Sequence, residues 1–363
     1  MKKILHVVES FGGGVFNQLR TYINALADSS VETYIAYSKR DDTPYDFKEC
    51  FPKNTHFLPV DLTRNVNIIK DARGLLAIRR IINIIQPDVV HLHSSKAGFI
   101  GRATLLFNPN RVSKPAVFYT PHGFYFLNDE IRPLKKLFYQ YLEKLAACFG
   151  GTIVACSKGE GDVARKQLRT KNVVVVENAI DSEMFECKKY GMYKEAALKI
   201  GTSGRLCAQK NPLMFADLAS RMKKSNVKFI WIGDGDKDFK EHLEGTNVFV
   251  TGWVNRYEVP HYLNSLDIYV QTSRWEGMPL SVIEAMASGL PAIVTGVVGN
   301  RDVVNHGVNG FIADTIEEMI LYIEKYRENR DLIKRHGQTA SYMARNRFTM
   351  SRLKNDLERL YNL

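Results

Sequence analysis

Cysteine is scarce in this chain. Of 363 residues only Cys50, Cys148, Cys156, Cys187 and Cys207 are present, an odd number with no C-x-x-C spacing. A disulfide framework and a cysteine-ligated zinc site are therefore not expected, and a reducing cytoplasm fits. No run of about 18 apolar residues occurs, so no bilayer-spanning helix is expected. After Lys2 and Lys3 the apolar stretch Ile4-Leu5-His6-Val7-Val8 is shorter than the ~7–15 residues of a signal-peptide core. It reads as a first buried strand. Short-period repeats, low-complexity tracts, zinc fingers, RNA-binding signatures and basic-aromatic repeats are all lacking, so nucleic acid is not the expected partner.

What is present is ordinary globular composition, 45% hydrophobic and 25% charged. At ~150 residues per domain the length suggests two domains. Lys plus Arg number 50 against 39 Asp plus Glu, a net charge of +11. Residues 1–182 carry 25 basic and 17 acidic side chains, +8, and the remainder carries +3. The positive half suits nucleic acid, an anionic membrane surface or phosphorylated small molecules.

Short β-rich runs at residues 4–8, 32–37, 88–93, 116–120, 152–155 and 173–176 alternate with amphipathic segments at 66–85, 97–107, 134–147 and 159–168. A second series of strands is expected at 199–203, 227–232, 248–250, 268–271 and 292–295. Such alternation predicts parallel sheets flanked by helices. The domains read as 1–182 and 197–345, joined by a charged linker at 183–196. The amphipathic end, 346–363, is expected to pack back on the first domain. Two such α/β domains would leave a cleft at the carboxyl ends of their strands, where open sheets bind ligands.

Several residues fall at those ends. Phe11-Gly12-Gly13-Gly14 follows the first strand, with a helix expected from about Val15; the glycines serve either a tight turn or a ligand loop. Pro121-His122-Gly123 ends another strand and aims His122 at the expected cleft, a packed loop histidine being the alternative. His91 and His93 share a face, but no third ligand is evident and a structural role is favoured over a metal. In the second half, Arg205 and Lys210 lie on one strand-to-helix loop and could neutralise a diphosphate. Asp234-Gly235-Asp236 has the look of a metal-nucleotide motif but suits turn geometry better. Most informative is Glu276-Gly277-Met278-Pro279-Leu280-Ser281-Val282-Ile283-Glu284. Pro279 suits a helix's first turn, amides at its start would face an anion, and two carboxylates at this spacing can accept from two polyol groups.

Together these residues resemble the retaining glycosyltransferases of family 4, with their GT-B fold. The resemblance spans nearly the whole chain through Gly13-Gly14, His122-Gly123, Asn178-Ala179-Ile180-Asp181, Gly204-Arg205-Leu206 with Lys210-Asn211, and the E-x7-E pattern from Glu276 to Glu284. It implies two Rossmann-like domains and transfer from a nucleotide sugar with retained anomeric configuration. By resemblance, Arg205 and Lys210 hold the donor diphosphate, Glu284 the ribose and Glu276 the sugar hydroxyls. Gly13, Gly14, Gly277, Met278, Pro279, Leu280 and Ser281 line the donor pocket, and the Val254 backbone reads the base. His122 lies close to the transferred sugar, so His122, Glu276, Arg205 and Lys210 form the expected catalytic set. The chain departs from the pattern at Gly123, where some members have Asp, and at Asn300, where many have glycine, a position outside the main donor motif.

The resemblance implies a hexose or N-acetylhexosamine donor with UDP rather than GDP, no cofactor and no metal requirement. It implies a saccharide acceptor, presented on a lipid carrier at the inner face of the membrane, in capsule, exopolysaccharide or O-antigen synthesis. Arg132, Lys135, Lys136 and Lys144 interleave with Phe138, Tyr139, Tyr141 and Leu142, which fits either a core-facing helix or an interfacial one. The rival readings are a nucleotide-sugar 2-epimerase of similar architecture and a non-catalytic nucleotide-sugar or nucleic-acid binding protein.

Overall fold

The computed structural model describes residues 1–63, 67–106, 114–128, 130–185 and 197–363. It comprises two α/β units: Met1–Ala179 with Met350–Leu363, and Ile180–Thr349. The first holds a parallel sheet of β1 (Lys2–Phe11), β2 (Val31–Lys39), β3 (Thr55–Pro59), β4 (Val89–His93), β5 (Ala116–Thr120), β6 (Thr152–Ala155) and β7 (Val173–Val175). The second holds β8 (Leu198–Ser203), β9 (Val227–Ile232), β10 (Val248–Val250), β11 (Ile268–Gln271), β12 (Ala292–Val294) and β13 (Gly310–Ile312). The orders are β3-β2-β1-β4-β5-β6-β7 and β10-β9-β8-β11-β12-β13.

Each order reverses direction beside its first strand, between β1 and β4 and between β8 and β11. Loops leaving the carboxyl ends of these strands diverge there and open a crevice, the usual ligand position in such sheets. Gly12 joins β1 to the helix that Gly13 and Gly14 open, and the loop after β8 carries Gly204 and Arg205. The loop after β11 carries Glu276.

Periodicity located most of these elements but not β3 or β13. The β3 segment Thr-His-Phe-Leu-Pro mixes polar and apolar residues at a sheet edge, and β13 has three residues opening on glycine. Both are held chiefly by pairing with β2 and β12, a tertiary effect that a local pattern does not carry. The first helix starts at Gly13 rather than near Val15, so the glycines form its opening turn.

The unit boundaries also differ from the expected ones. Helix Arg330–Arg347 runs past residue 345 within the second unit, and the chain passes to the first unit at Met350. Of the expected linker, residues 186–196 lie outside the described residues. What precedes them is packed: Ser182–Met184 forms a 3-10 turn and Phe185 is fully buried.

The closing helix Met350–Tyr361 belongs to the first unit. Leu353, Leu357 and Tyr361 are buried with Ile4, Tyr22, Val89 and Val154. Full burial of each leucine contributes about 1.5–3 kcal/mol. Arg352 clamps the helix by donating to the carbonyls of Glu177 and Asn178, each at 2.7 Å.

Candidate active site

In the second unit, the loop leaving β8 is shaped by glycine. Gly204 has φ +145° and the Lys210 side chain lies across it, its Cε 3.2 Å from where a Cβ would stand. Arg205 follows and is exposed. A 3-10 turn, Ala208–Lys210, leads to Asn211, whose left-handed backbone (φ 51°) and side-chain cap start helix Pro212–Arg221. Thr272 Oγ1 donates to the carbonyls of Lys210 and Asn211 at 2.9 and 3.0 Å, tying this loop to the one after β11.

That contact brings together two residues separated by 66 positions. Lys210 Nζ lies 2.7 Å from Glu276 Oε1. Burial pushes the Lys210 ammonium down, but Glu276 outweighs it, so the pKa is raised and the cation kept. Ser273 Oγ donates to the same carboxylate oxygen at 2.8 Å. Gln271 Nε2 lies 3.4 Å from that oxygen and donates to Asn300 Oδ1 at 3.2 Å. Asn300 is fully buried and donates to the Thr295 carbonyl at 2.9 Å. The residue read as a departure outside the donor motif is thus joined to Glu276 through Gln271.

Helix Leu280–Ala287 begins one residue later than the sequence suggests. Pro279 is its N-cap, in extended conformation, and not a first-turn residue; no side chain caps the helix. Amide donors and the positive end of the helix dipole are therefore presented at residues 280–282. Glu284, one turn in, is buried and pairs with Arg256 Nη1 at 2.6 Å. Arg256 also lies over the Phe185 ring at 5.5 Å, and its buried Nε has no hydrogen-bond partner among the described residues. Half-buried Val254 is two residues before it. Gly299 seats the next helix against this loop: its amide donates to the Glu276 carbonyl at 3.2 Å, and a Cβ would meet the Gly277 oxygen at 2.5 Å.

Asp234 and Asp236 serve the turn. Asp234 pairs with Lys240 at 3.0 Å and accepts from the Gly235 amide at 2.9 Å, while Asp236 caps helix Lys237–Glu244.

The first unit assembles a separate set. His122 has a left-handed backbone, φ 59°, and is half-buried. Its ring stacks on His93 at 5.3 Å, with Nε2 3.0 Å from His93 Nδ1 and Nδ1 2.7 Å from Gln18 Oε1. It is thus packed in its loop between His93 and Gln18. Gln18 lies on helix Gly13–Ala25, the helix whose first turn exposes Gly13 and Gly14. Glu160 accepts from the Gly123 amide at 2.7 Å and from the Cys156 amide at 2.8 Å, which fixes the turn after His122. Burial holds the Glu160 carboxyl above its usual range.

Behind His122, the pair His91 and His93 gains the third histidine that the sequence did not make evident. His6 stands opposite His91 in the β1–β4 register, and ring nitrogens of His6, His91 and His93 come within 4.8 Å of one another. His91 and His93 stack at 4.4 Å and each engages both nitrogens in hydrogen bonds. A metal ion at these nitrogens would have to displace those hydrogen-bond partners.

Arg256, Gln18, Glu160, Gln271 and His6 were not anticipated. A glutamine on the inward face of an amphipathic helix marks Gln18, and the period-two face of β1 marks His6. Nothing local marks Arg256.

Both units match known families. Residues 12–184 match the family described as Glycosyltransferase Family 4, and residues 197–329 match Glycosyl transferases group 1. An Escherichia coli protein named UDP-Gal:alpha-D-GlcNAc-diphosphoundecaprenol alpha-1,3-galactosyltransferase is 32% identical over 279 residues, 71% of this chain and 70% of that one. The chain is a family 4 glycosyltransferase. A Klebsiella pneumoniae protein from a cps region is 30% identical to this glycosyltransferase over 321 residues, 86% of each. The fold is GT-B: a sucrose-phosphate synthase from Thermosynechococcus elongatus superposes with TM-score 0.83 at 15% identity, covering 100% of this chain and 98% of that one. Anabaena HepE, solved with UDP and glucose, superposes with TM-score 0.80 at 18% identity over 100% of both chains. Among the described residues of this glycosyltransferase, no helix is long and apolar enough to cross a membrane.

Proposed function

We propose that this glycosyltransferase moves a hexose or N-acetylhexosamine from a UDP-sugar to a lipid-diphosphate-linked saccharide, with retention of configuration, in surface-polysaccharide synthesis. The observation that carries the reading is the second unit's charge arrangement. The cation Lys210 and the uncapped start of Leu280–Ala287 are built from loops tied together at Thr272. Arg205 adds an exposed cation on the same loop as half-buried Lys210. These groups neutralise a diphosphate without calling on a divalent cation.

In the proposed step the bond from the sugar's anomeric carbon to the β-phosphate oxygen breaks, and its electron pair leaves with UDP. Lys210, Arg205 and the helix amides stabilise the growing negative charge. The acceptor hydroxyl oxygen bonds to the anomeric carbon on the same face, and its proton passes to the departing phosphate oxygen. Glu276 accepts from sugar hydroxyls and Glu284 from the ribose, while His122 acts at the transferred sugar. The name of the E. coli relative supports both the UDP donor and the lipid-diphosphate acceptor.

The membrane side of the proposal rests on helix Pro133–Cys148. Leu134, Leu137, Phe138 and Tyr141, spaced i, i+3, i+4 and i+7, are 83%, 60%, 50% and 62% exposed. An apolar stripe facing outward beside Arg132 and Lys135 suits the surface of an anionic bilayer.

The test is a screen of nucleotide sugars for protection against thermal unfolding, followed by turnover with polyprenyl-diphosphate-linked sugars. A UDP-sugar that protects and yields an α-linked product from an α-donor is expected. Conversion of the donor to an epimer without acceptor would overturn the reading.

A further inference from the structure

The histidine stack of the first unit has a direction. Gln18 Oε1 can only accept, and the other end of that amide donates to the Tyr22 hydroxyl at 3.2 Å, so the His122 Nδ1 facing Oε1 at 2.7 Å carries a proton. A neutral His122 then accepts at Nε2, which obliges His93 to donate from Nδ1 across 3.0 Å. His93 Nε2 in turn accepts from His6 Nδ1, also at 3.0 Å. Three imidazoles thus donate in the same sense, an arrangement in which each bond polarises the next.

We propose that His6, His93 and Gln18 are positioning residues that hold His122 in its Nδ1–H tautomer through a one-way hydrogen-bond chain, His6 to His93 to His122 to Gln18. Burial keeps the chain neutral: it lowers His6 and His122 to about 3 and His93 well below its usual value. His91 flanks the chain without joining it, since its nitrogens face the Tyr361 hydroxyl at 2.6 Å and Thr120 Oγ1 at 2.8 Å. With both nitrogens of His122 engaged inside the unit, a ligand meets its ring face and the left-handed backbone of the His122-Gly123 turn. His122 then acts by shape and polarity, not by exchanging a proton. Its relevance to transfer rests on the function proposed above; the chain itself does not.

The direct test is a long-range proton–nitrogen NMR correlation spectrum of the full chain with ¹⁵N-labelled histidine, without ligand. His6, His93 and His122 are each expected to show a protonated Nδ1 and a lone pair on Nε2. His93→Leu should release His122 into a tautomer mixture, whereas His93→Asn, which keeps a donor near the Nδ1 position, should preserve the His122 signature. A wild-type His122 protonated at Nε2 or averaged between tautomers would overturn the proposal. An unchanged His122 signal in a folded His93→Leu would do the same, and should that variant not fold, the wild-type spectrum decides alone. Zinc titration is expected to leave the three signals unmoved, and stoichiometric uptake that shifts them together would show that the nitrogens are ligands instead. Once a donor is in hand, His93→Leu should lower kcat about five- to tenfold, the worth of one hydrogen bond, with donor KM unchanged. Failure of the transferase reading would leave the spectrum as expected, so the two can be told apart.

Discussion

The ammonium of Lys210 and the carboxylate of Glu276 meet at 2.7 Å in the second unit, each the other's ion-pair partner in the ligand-free protein. A diphosphate that recruits Lys210 must share it with Glu276, which frees that carboxylate to accept from a sugar hydroxyl. Ser273 and Gln271 remain to hold Glu276 in place when the cation turns away. On the function proposed above, donor binding and readiness of Glu276 to meet the sugar would be coupled through one hydrogen bond.

Variants of the cation and of the carboxylate should therefore separate. Lys210→Ala is expected to weaken UDP binding by about two orders of magnitude, the worth of a charge-assisted contact of ~1.5–3 kcal/mol. Glu276→Gln should leave UDP affinity within about threefold while turnover falls at least a hundredfold, as expected when a contact strengthens in the transition state. Calorimetry with UDP and steady-state turnover check both; equal loss of UDP affinity in the two variants would show that the coupling is absent.

Acid should destabilise the protein well before its carboxylates titrate. Burial lowers His6 and His122 to about 3, and His91 and His93 far below their usual value. The unfolded chain takes up these protons near pH 6.5 and the folded chain does not. The stability is present above that pH and lost as pH falls. Each histidine contributes about 1.4 kcal/mol per pH unit. Glu143 and Glu160, raised by burial, act in the opposite sense. A net fall of about 2–5 kcal/mol per pH unit between pH 6 and 5 is expected in urea titrations. A flat profile would mean that the stack is already protonated in the folded state.

Loss of the closing helix's anchors should weaken the first unit alone. Leu357→Ala removes a fully buried side chain packed in the cluster with Ile4 and Tyr22, at a cost of about 2–5 kcal/mol. Denaturant unfolding should register this loss while UDP affinity, which the proposed function assigns to the second unit, is expected to stay at the wild-type value.

Vesicle flotation checks the outward stripe on Pro133–Cys148. Binding to vesicles rich in anionic lipid, weakened by salt, is expected; Arg132→Glu with Lys135→Glu should lower it about fivefold per charge removed. Retention of binding by Leu137→Ser with Phe138→Ser would remove the stripe from the account.

Much of this arrangement was legible in the chain. Short apolar runs located β1 and β4, whose cores are buried on both faces and rich in Val, Ile and Leu, and glycine with a following cation marked the turn that leaves β8. The carboxylates Glu276 and Glu284 stood out by spacing. Their cations did not separate so cleanly: Lys210 was read toward a phosphate and proved also to hold Glu276, and Arg256 carried no local signal. Asn300 looked like a departure from a family pattern, yet its side chain supports Gln271. Partners joined across two loops, or across neighbouring strands as His6 is to His93, are fixed by topology, and local periodicity contains no record of them. The stripe at Leu134 and Phe138 shows the converse limit, since amphipathicity reveals a face without saying which way it points.

A crystal structure of the full chain soaked with UDP tests the central claim most directly. The account predicts the diphosphate within hydrogen-bond distance of Lys210 Nζ, the Arg205 guanidinium and an amide at the start of Leu280–Ala287, with the ribose on Glu284. Density for the diphosphate elsewhere, with the Lys210–Glu276 pair still closed, would contradict it.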